Sequence, residues 1–390
     1  MDPRRNPFAP GAGTPPPELA GVDAVLERTA VALDRIRAGL AARPRILYGL
    51  RGVGKTVLLT AMRDAAEEKG MAVVAIEASE NRSLPGILLP ALRVAFLRLD
   101  RMKQETAGVA RALKALAGFA KLKVKYDDLE VPLDFEPEPG LADSGDLDAD
   151  LSDLIVTVGE AAQEQQSTVV LVIDELQYVP EEQLAALIGA LHRAAQKRLP
   201  VTMLAAGLPQ LIRQIGRAKP YAQRLFEFVT IGPLDEKAAC DAVRLPIERE
   251  EETIEKDALD AIFAQTQGYP YFLQEWGKHS WDAAEGSPIT VTDVEAAAVA
   301  ALAELDASFF RVRFDRLTSA EMRYLRAMAD RGAGPHSSRQ VAETLGVTVS
   351  IVAPTRNSLI AKGMLYSPAG DDTAFTAPLF DAFMRRVVPG

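Results

Sequence analysis

RILYGLRGVGKTVLL, residues 45–59, places three glycines and a lysine between an apolar run and a helical pattern. The spacing predicts a short strand over Arg45–Tyr48. It predicts a helix over Thr56–Glu68, with Val57, Leu58, Ala61, Met62 and Ala65 on one face. The loop between them, Gly49-Leu50-Arg51-Gly52-Val53-Gly54-Lys55-Thr56, fits GxxxxGK[ST] and runs into Val57. Glycines let such a backbone curl until successive N–H groups face phosphate oxygens, helped by the positive end of the following helix. Lys55 would then reach the β- and γ-phosphates, and the Thr56 hydroxyl would ligate Mg2+. A glycine-rich turn with no ligand is the bland alternative, and the strand-to-helix context weighs against it.

A phosphate loop of this kind needs a carboxylate on a neighbouring strand. STVVLVIDELQYVP, residues 167–180, supplies one. Val169–Ile173 is an unbroken, mostly β-branched run, as expected of a central parallel strand covered on both faces. Asp174 and Glu175 follow at its carboxyl end, where open α/β sheets bind ligands. Asp174 is expected to hold the metal, and Glu175 to orient or deprotonate the attacking water. Two acids after a strand also cap helices, a reading that loses weight beside the loop at Gly49. Further strands are expected at Ala72–Glu77 and Val201–Ala206, with a helix over Glu181–Gln196, so the fold class is α/β, a doubly wound parallel sheet.

The 390 residues suffice for two or three domains, and 48% hydrophobic content supports buried cores. One cysteine, Cys240, excludes a disulfide framework within the chain, and three scattered histidines, His192, His279 and His336, speak against a histidine metal cluster. No membrane span is expected, and the cytoplasm is the expected compartment. Residues 1–17, rich in Pro and Gly, are expected to form a flexible tail, with packing on the first domain as the alternative. The net charge of −10 conceals an asymmetry: residues 307–390 hold 11 Lys+Arg against 7 Asp+Glu, a surplus of four, which leaves −14 for residues 1–306. Any contact with nucleic acid is therefore expected at the C-terminal end.

With "GLRGVGKT", "VIDELQ", "AAGLP", "RLFEFVTIGPL" and "TQGYPYFLQ" in hand, the sequence resembles AAA+ ATPases of the archaeal-ATPase and origin-recognition-like group, related to signal-transducing ATPases and frequent in GC-rich bacteria. The resemblance implies ATP with Mg2+, an ATPase core over 18–234, a helical lid over 235–306 and a separate module over 307–390. It matches "PELAGVDAVLE" (17–27) to an adenine-side box, although Val22 stands where an arginine is frequent. It also implies an arginine touching the γ-phosphate from the same or a neighbouring subunit. Arg224 best fits that position, with Arg213 and Arg217 as competitors and an ordinary surface salt bridge as the alternative. Such ATPases end the strand after the acidic pair on a polar sensor residue, but Ala206-Gly207-Leu208-Pro209 stands here, which points to slow hydrolysis. Gly268-Tyr269-Pro270 resembles the GxP step of signal-transducing ATPases, or is a first-turn proline. Lid helices are expected near Asp235–Val243, Lys256–Thr266, Tyr269–Ala284 and Thr292–Leu305, the last capped by Thr292 and Glu295.

An insertion over about 84–150 contains two apolar-striped helices, 84–102 and 107–121. A hairpin turning at Asp127-Asp128 is expected after them, and then an acidic connector with seven acids between Glu136 and Asp153. SSRQVAETLGVTVSIVAPTRNSLIAKGMLYSPAGDDTAFTAP, residues 337–378, is punctuated as a winged helix-turn-helix. Ser337 and Gln340 box the first helix, Gly346 ends it, and Gly363 stops a second helix that reaches Lys362. Two strands, 364–366 and 374–376, follow. Arg339, Arg356 and Lys362 are the expected contacts to double-stranded DNA. Pro354 in the second helix and Asp371 with Asp372 in the wing count against DNA. The expected function is a nucleotide-dependent switch that couples ATP to DNA binding. The alternatives are a signalling ATPase whose C-terminal module meets a protein partner, with a homo-oligomer also open, and a P-loop kinase.

Overall fold

In a computed structural model, which describes residues 1–11, 13–102, 107–126, 136–368 and 370–389, five strands build the expected parallel sheet. They are β1 (Arg45–Tyr48), β2 (Ala72–Glu77), β3 (Val169–Asp174), β4 (Val201–Gly207) and β5 (Glu227–Thr230), in the order β2-β3-β4-β1-β5. Tyr48 pairs in register with Gly207 on one side and Thr230 on the other, and Glu77 with Asp174, so the carboxyl ends line one edge. Side chains of β3 alternate between two cores, as a period of two requires. Val170 and Val172 face α1 (Asp23–Arg37) and α2 (Lys55–Glu68), whereas Leu171 and Ile173 face α3 (Leu84–Met102), α4 (Ala107–Tyr126), α5 (Leu147–Glu164) and α6 (Glu181–Gln196). Burial of β3 on both faces explains why its sequence is an unbroken apolar run.

The insertion adds helices to one face of the sheet. Residues 122–126, expected in the first arm of a hairpin, instead complete α4, and the turn and second arm lie outside the described residues. Part of the acidic connector is firmly built in. Asp146 caps α5 by accepting from the Ala149 amide at 2.9 Å, and buried Asp150 accepts from the Ser144 and Gly145 amides, each at 2.9 Å.

Beyond the core run α7 (Leu211–Ala218), α8 (Ala222–Leu225), and the lid helices α9 (Glu236–Arg249), α10 (Lys256–Thr266), α11 (Pro270–Ala283) and α12 (Val291–Glu304). The box expected at Thr292 and Glu295 falls two residues earlier, because Thr290 and Asp293 exchange the capping bonds. Pro270 occupies the first turn of α11, where its missing N–H costs nothing.

The flexible tail expected at the N-terminus is a correction. Phe8 is 3% exposed, and its ring lies so close to Gly277 of α11 that a Cβ there would come within 2.8 Å. Asn6 donates to the Lys278 carbonyl at 3.0 Å and to Asp282 at 2.9 Å, and Trp281 Nε1 donates to the Asp2 carbonyl at 2.9 Å. One aromatic and one amide fasten the segment, and its Pro/Gly composition conceals both.

After α12 the helix widens into a π-helical segment, Leu305–Phe310, and continues as α13 (Arg311–Phe314). There follow α14 (Ser319–Asp330), β6 (His336–Ser337), α15 (Ser338–Leu345), α16 (Val349–Ala361), β7 (Leu365–Tyr366), β8 (Asp372–Phe375) and α17 (Phe380–Val387). The strands form an antiparallel sheet in the order β6-β8-β7. Ser337 and Gln340 make the expected capping box, and Gly346 closes α15 at φ 66°, which favours glycine. Pro354 lies inside α16, which begins five residues earlier at Val349. Phe310 stacks on Phe383 at 5.1 Å and meets Phe272 of the lid at 6.2 Å, within one hydrophobic cluster that spans both regions. Lid and C-terminal region are therefore packed as one body.

Candidate functional site

A cleft of about 610 Å3 opens at the carboxyl edge of the sheet between the β1–α2 loop and the lid. Gly52, Val53, Gly54, Lys55, Thr56, Val57 and Arg51 line it together with Glu175. The turn requires Gly52 and Gly54 at φ 77° and 85°, values that side chains resist. Gly49 is just as constrained: a Cβ there would lie 1.9 Å from the Ile231 carbonyl oxygen. Leu50 sits behind the loop, where its carbonyl accepts from Lys55 Nζ at 2.7 Å. Lys55 is 8% exposed, and burial pulls its pKa down to about 8, against the opposing pull of Glu175. It is a buried cation whose bonded neighbour is a neutral carbonyl.

Asp174 and Thr56 hydrogen-bond each other beneath the loop, and Asp174 Oδ1 also accepts from the Glu175 amide at 2.7 Å. Burial pushes the Asp174 carboxyl up from its ordinary range, more than the Thr56 bond draws it down. A hydroxyl beside a half-desolvated carboxylate is a hard-oxygen donor set suited to Mg2+. Glu175 adopts φ 52°, a left-handed conformation that costs a non-glycine residue roughly 1 kcal/mol or more. That strain is retained at the position expected to act on water.

Gln177 was not singled out from sequence. Its side-chain amide donates to Glu175, and its Oε1 accepts from the Leu208 amide at 2.9 Å, just past the end of β4. A Cβ on Gly207 would lie 2.7 Å from that same oxygen. The polar link missing from the end of β4 is thus supplied from the β3 side, and Gly207 makes room for it.

The rest of the cleft is lined by Leu19, Gly21, Val22, Ile231 and Leu234, and by Ala9, Pro10, Gly11, Gly13 and Thr14 of the N-terminal segment; Leu19, Gly21 and Val22 belong to the stretch matched to an adenine-side box. A Cβ on Gly13 would lie 3.6 Å from the Thr56 methyl, so the segment crosses directly over the loop. Arg224, in α8, is exposed and does not line the cleft; nor do Arg213 and Arg217. Arg213 instead reaches Ser367 of the C-terminal region at 3.4 Å. The arginine that does enter from outside the loop is Arg313, which lies over the Phe309 ring at 4.3 Å from its centroid.

The expected DNA contacts are distributed differently. Lys362 pairs with buried Glu321 at 2.8 Å and donates to the Arg316 carbonyl at 3.0 Å, so it holds α16 to α14. Arg356 is half-buried and turns toward Ser367 at 3.4 Å. Arg339 is exposed. The Arg51 amide donates to the Thr376 carbonyl at 2.8 Å, and Arg51 Nη2 donates to the Tyr178 hydroxyl at 3.0 Å beside Gly363. The C-terminal region therefore rests on the phosphate loop itself.

Residues 18–204 match the family model described as the AAA ATPase domain. The core is an AAA ATPase domain. Nucleotide binding follows from that membership, and nucleotide hydrolysis follows in general terms. Residues 307–384 match a second family, described as a domain of unknown function (DUF8462). The ATPase is similar in fold to the Walker-type ATPase PABY2304 of Pyrococcus abyssi, with a TM-score of 0.58 at 14% identity over 95% of this chain and 98% of that one. Lower scores link it to Cdc6p of Pyrobaculum aerophilum (0.49, 14% identity, 99% and 97% covered) and to the Orc1 protein of Aeropyrum pernix in complex with DNA (0.48, 15%, 98% and 96%). At 14% identity the likeness to the Pyrococcus abyssi protein is one of fold. A search of curated protein sequences finds no match. Among the described residues no helix is long and apolar enough to cross a membrane.

Proposed function

We propose that the chain is an ATP-dependent switch in which nucleotide at the phosphate loop repositions the C-terminal region, with slow hydrolysis as the reset. The observation that carries this reading is the hydrogen bond from the Arg51 amide to the Thr376 carbonyl. A loop whose backbone serves phosphates is also the surface on which the C-terminal region rests, so the two contacts draw on the same few residues. A ligand shifts such an equilibrium only by binding the two states unequally, and a shared surface provides that inequality. Because lid and C-terminal region share one core, they move together.

Lys55 would bind the β- and γ-phosphates, Thr56 and Asp174 would hold Mg2+, and Glu175, fixed by Gln177, would take the proton of the attacking water. The metal, when bound, supplies charge neutralisation to the phosphate oxygens. A glutamate constrained at one end by Gln177 and facing Arg51 at 3.8 Å is partly committed to its neighbours, which supports a modest rate. A kinase reading is less well served, since Glu175 beside the metal aspartate suits water as the nucleophile.

The read-out is proposed to be double-stranded DNA, met by a winged-helix module that carries a positive surplus of four and presents Arg339 to solvent. A second reading, a protein partner, rests on the exposed face of α16. Val349 and Ile351 stand 43% and 62% exposed there, with Val347 of the preceding turn 38% exposed beside them, while Lys362 is spent on Glu321. Fluorescence polarisation of labelled duplex DNA, titrated with salt in nucleotide-free, ADP and ATP states of Glu175→Gln, separates the readings. DNA as the read-out requires ATP-dependent binding that falls steeply with salt. Binding that is absent in every state removes DNA and leaves the partner reading.

A further inference from the structure

The phosphate end of the cleft gathers more cations than its carboxylates balance. Lys55, Arg51 and Arg313 converge there, opposite Asp174 and Glu175. Among the described residues Arg313 forms no ion pair; the carboxylate that acts on it is Glu175, which already faces Arg51 at 3.8 Å. One N–H of its guanidinium goes to the carbonyl of its own helix at Phe309. The remaining donors of the fork are available to an anion. Burial first, and then the neighbouring charge of Arg51, pulls its pKa down to about 10.

Local geometry aims this side chain. The π-helical segment Leu305–Phe310 inserts an extra residue into the turn, a feature that rotates everything after it and is retained mostly where something depends on the new direction. Phe309 leaves that segment and packs against Gly52 of the loop, 3.5 Å from where a Cβ would stand, with Tyr271 stacked on it at 5.1 Å. The Tyr271 amide donates to the Gly52 carbonyl at 3.1 Å, tying the same cluster to the loop. Arg313 is then laid across the outer face of Phe309. Holding a flexible arginine on an aromatic shelf at a phosphate site lowers the entropy lost when it closes on a ligand.

We infer that Arg313, borne by the helix that leads into the C-terminal region of the same chain, grips the terminal phosphate of the bound nucleotide, so that one chain completes its own site. The inference rests on the nucleotide reading above. Within one chain it takes the place expected of Arg224, which is exposed and does not line the cleft of its own chain. Closure of Arg313 on the terminal phosphate would draw α13 inward and pivot the body that it leads into, which gives the switch a lever.

The test is calorimetric titration of wild type, Arg313→Ala, Arg313→Gln and Arg313→Lys with ADP and with a non-hydrolysable ATP analogue, each with Mg2+. Loss of a charged contact to the terminal phosphate should weaken the ATP analogue about tenfold or more in the Ala and Gln variants and leave ADP within about twofold, with Lys intermediate. Gln keeps the stem over Phe309, so a folding defect in Ala alone does not obscure the result. Equal losses for both nucleotides, or none for either, in the Gln variant overturn the inference while the site itself stands. If wild type binds neither nucleotide, the underlying reading fails and the inference falls with it. Turnover per chain should stay constant across about a hundredfold range of protein concentration, and a rate that climbs with concentration contradicts completion in cis.

Discussion

Lys55 and Lys362 are both drawn in among other side chains, yet their surroundings differ. Lys362 meets a carboxylate at 2.8 Å, and Glu321 in turn accepts from the Thr318 amide at 2.7 Å and from the Ser358 hydroxyl at 2.8 Å. Burial alone would push the Glu321 carboxyl up, but the Lys362 bond and the others hold it down to about 2. Lys55 has a carbonyl at 2.7 Å and an open cleft ahead of it, and burial pulls it down to about 8. A buried cation whose counter-charge is supplied by the fold marks architecture. One whose counter-charge must arrive from outside marks a ligand site.

Substitution at the two lysines should separate those roles. Lys55→Ala is expected to cut phosphate release and ATP affinity by about two orders of magnitude or more, at a melting temperature no lower than wild type, because it relieves an unpaired buried charge. Glu175→Gln should lower steady-state turnover by about a hundredfold or more while calorimetry still detects ATP. Undiminished turnover would move the base to another group. At the other lysine, Lys362→Met should cost the C-terminal region about 3 kcal/mol, read by denaturant unfolding, and leave ATP affinity unchanged.

The same pair sets a pH dependence. The Glu321 carboxyl lies below its ordinary 4.5, so its contribution is fully present above about pH 4.5 and is lost as pH falls toward 2. In Lys362→Met the Glu321 carboxyl loses its counter-charge and its pKa moves back up, so this acid-side loss should shrink, visible as a shallower fall in melting temperature than wild type between about pH 4.5 and 2. A smaller effect is expected at the N-terminal segment. Gly277→Leu displaces the Phe8 ring and should weaken ATP binding a few-fold by loosening Ala9, Pro10, Gly11, Gly13 and Thr14 at the cleft. Smallest is Arg339→Ala, which should reduce the salt slope of DNA binding by about one and change little else.

How much was legible in the sequence follows from the same contrast. The phosphate loop, β3 and the order of strand and helix are backbone demands. Glycine at positive φ, a doubly buried strand and a cap each impose residue types at fixed short spacing. Arg313 carries no such signature, since its direction depends on a π-helical turn that no local pattern announces. Gln177 looks like any polar residue after a strand until the end of β4 folds against it. By charge alone Lys362 looks like a DNA contact, because Glu321 lies 41 residues away and charge counting cannot see a pairing across α14 and α16. The prolines and glycines of the N-terminal segment suggest a flexible tail, although Asn6 and Phe8 fasten it.

The contact between Arg51 and Thr376 carries the central claim that nucleotide and the C-terminal region share the phosphate loop. Hydrogen–deuterium exchange of Glu175→Gln, followed over the segment 363–377 with and without Mg-ATP, tests it most directly. The account predicts faster exchange in this segment when ATP is bound, as β7 and β8 leave the loop. Identical exchange in the two states, at ATP concentrations that calorimetry shows to be saturating, would contradict it.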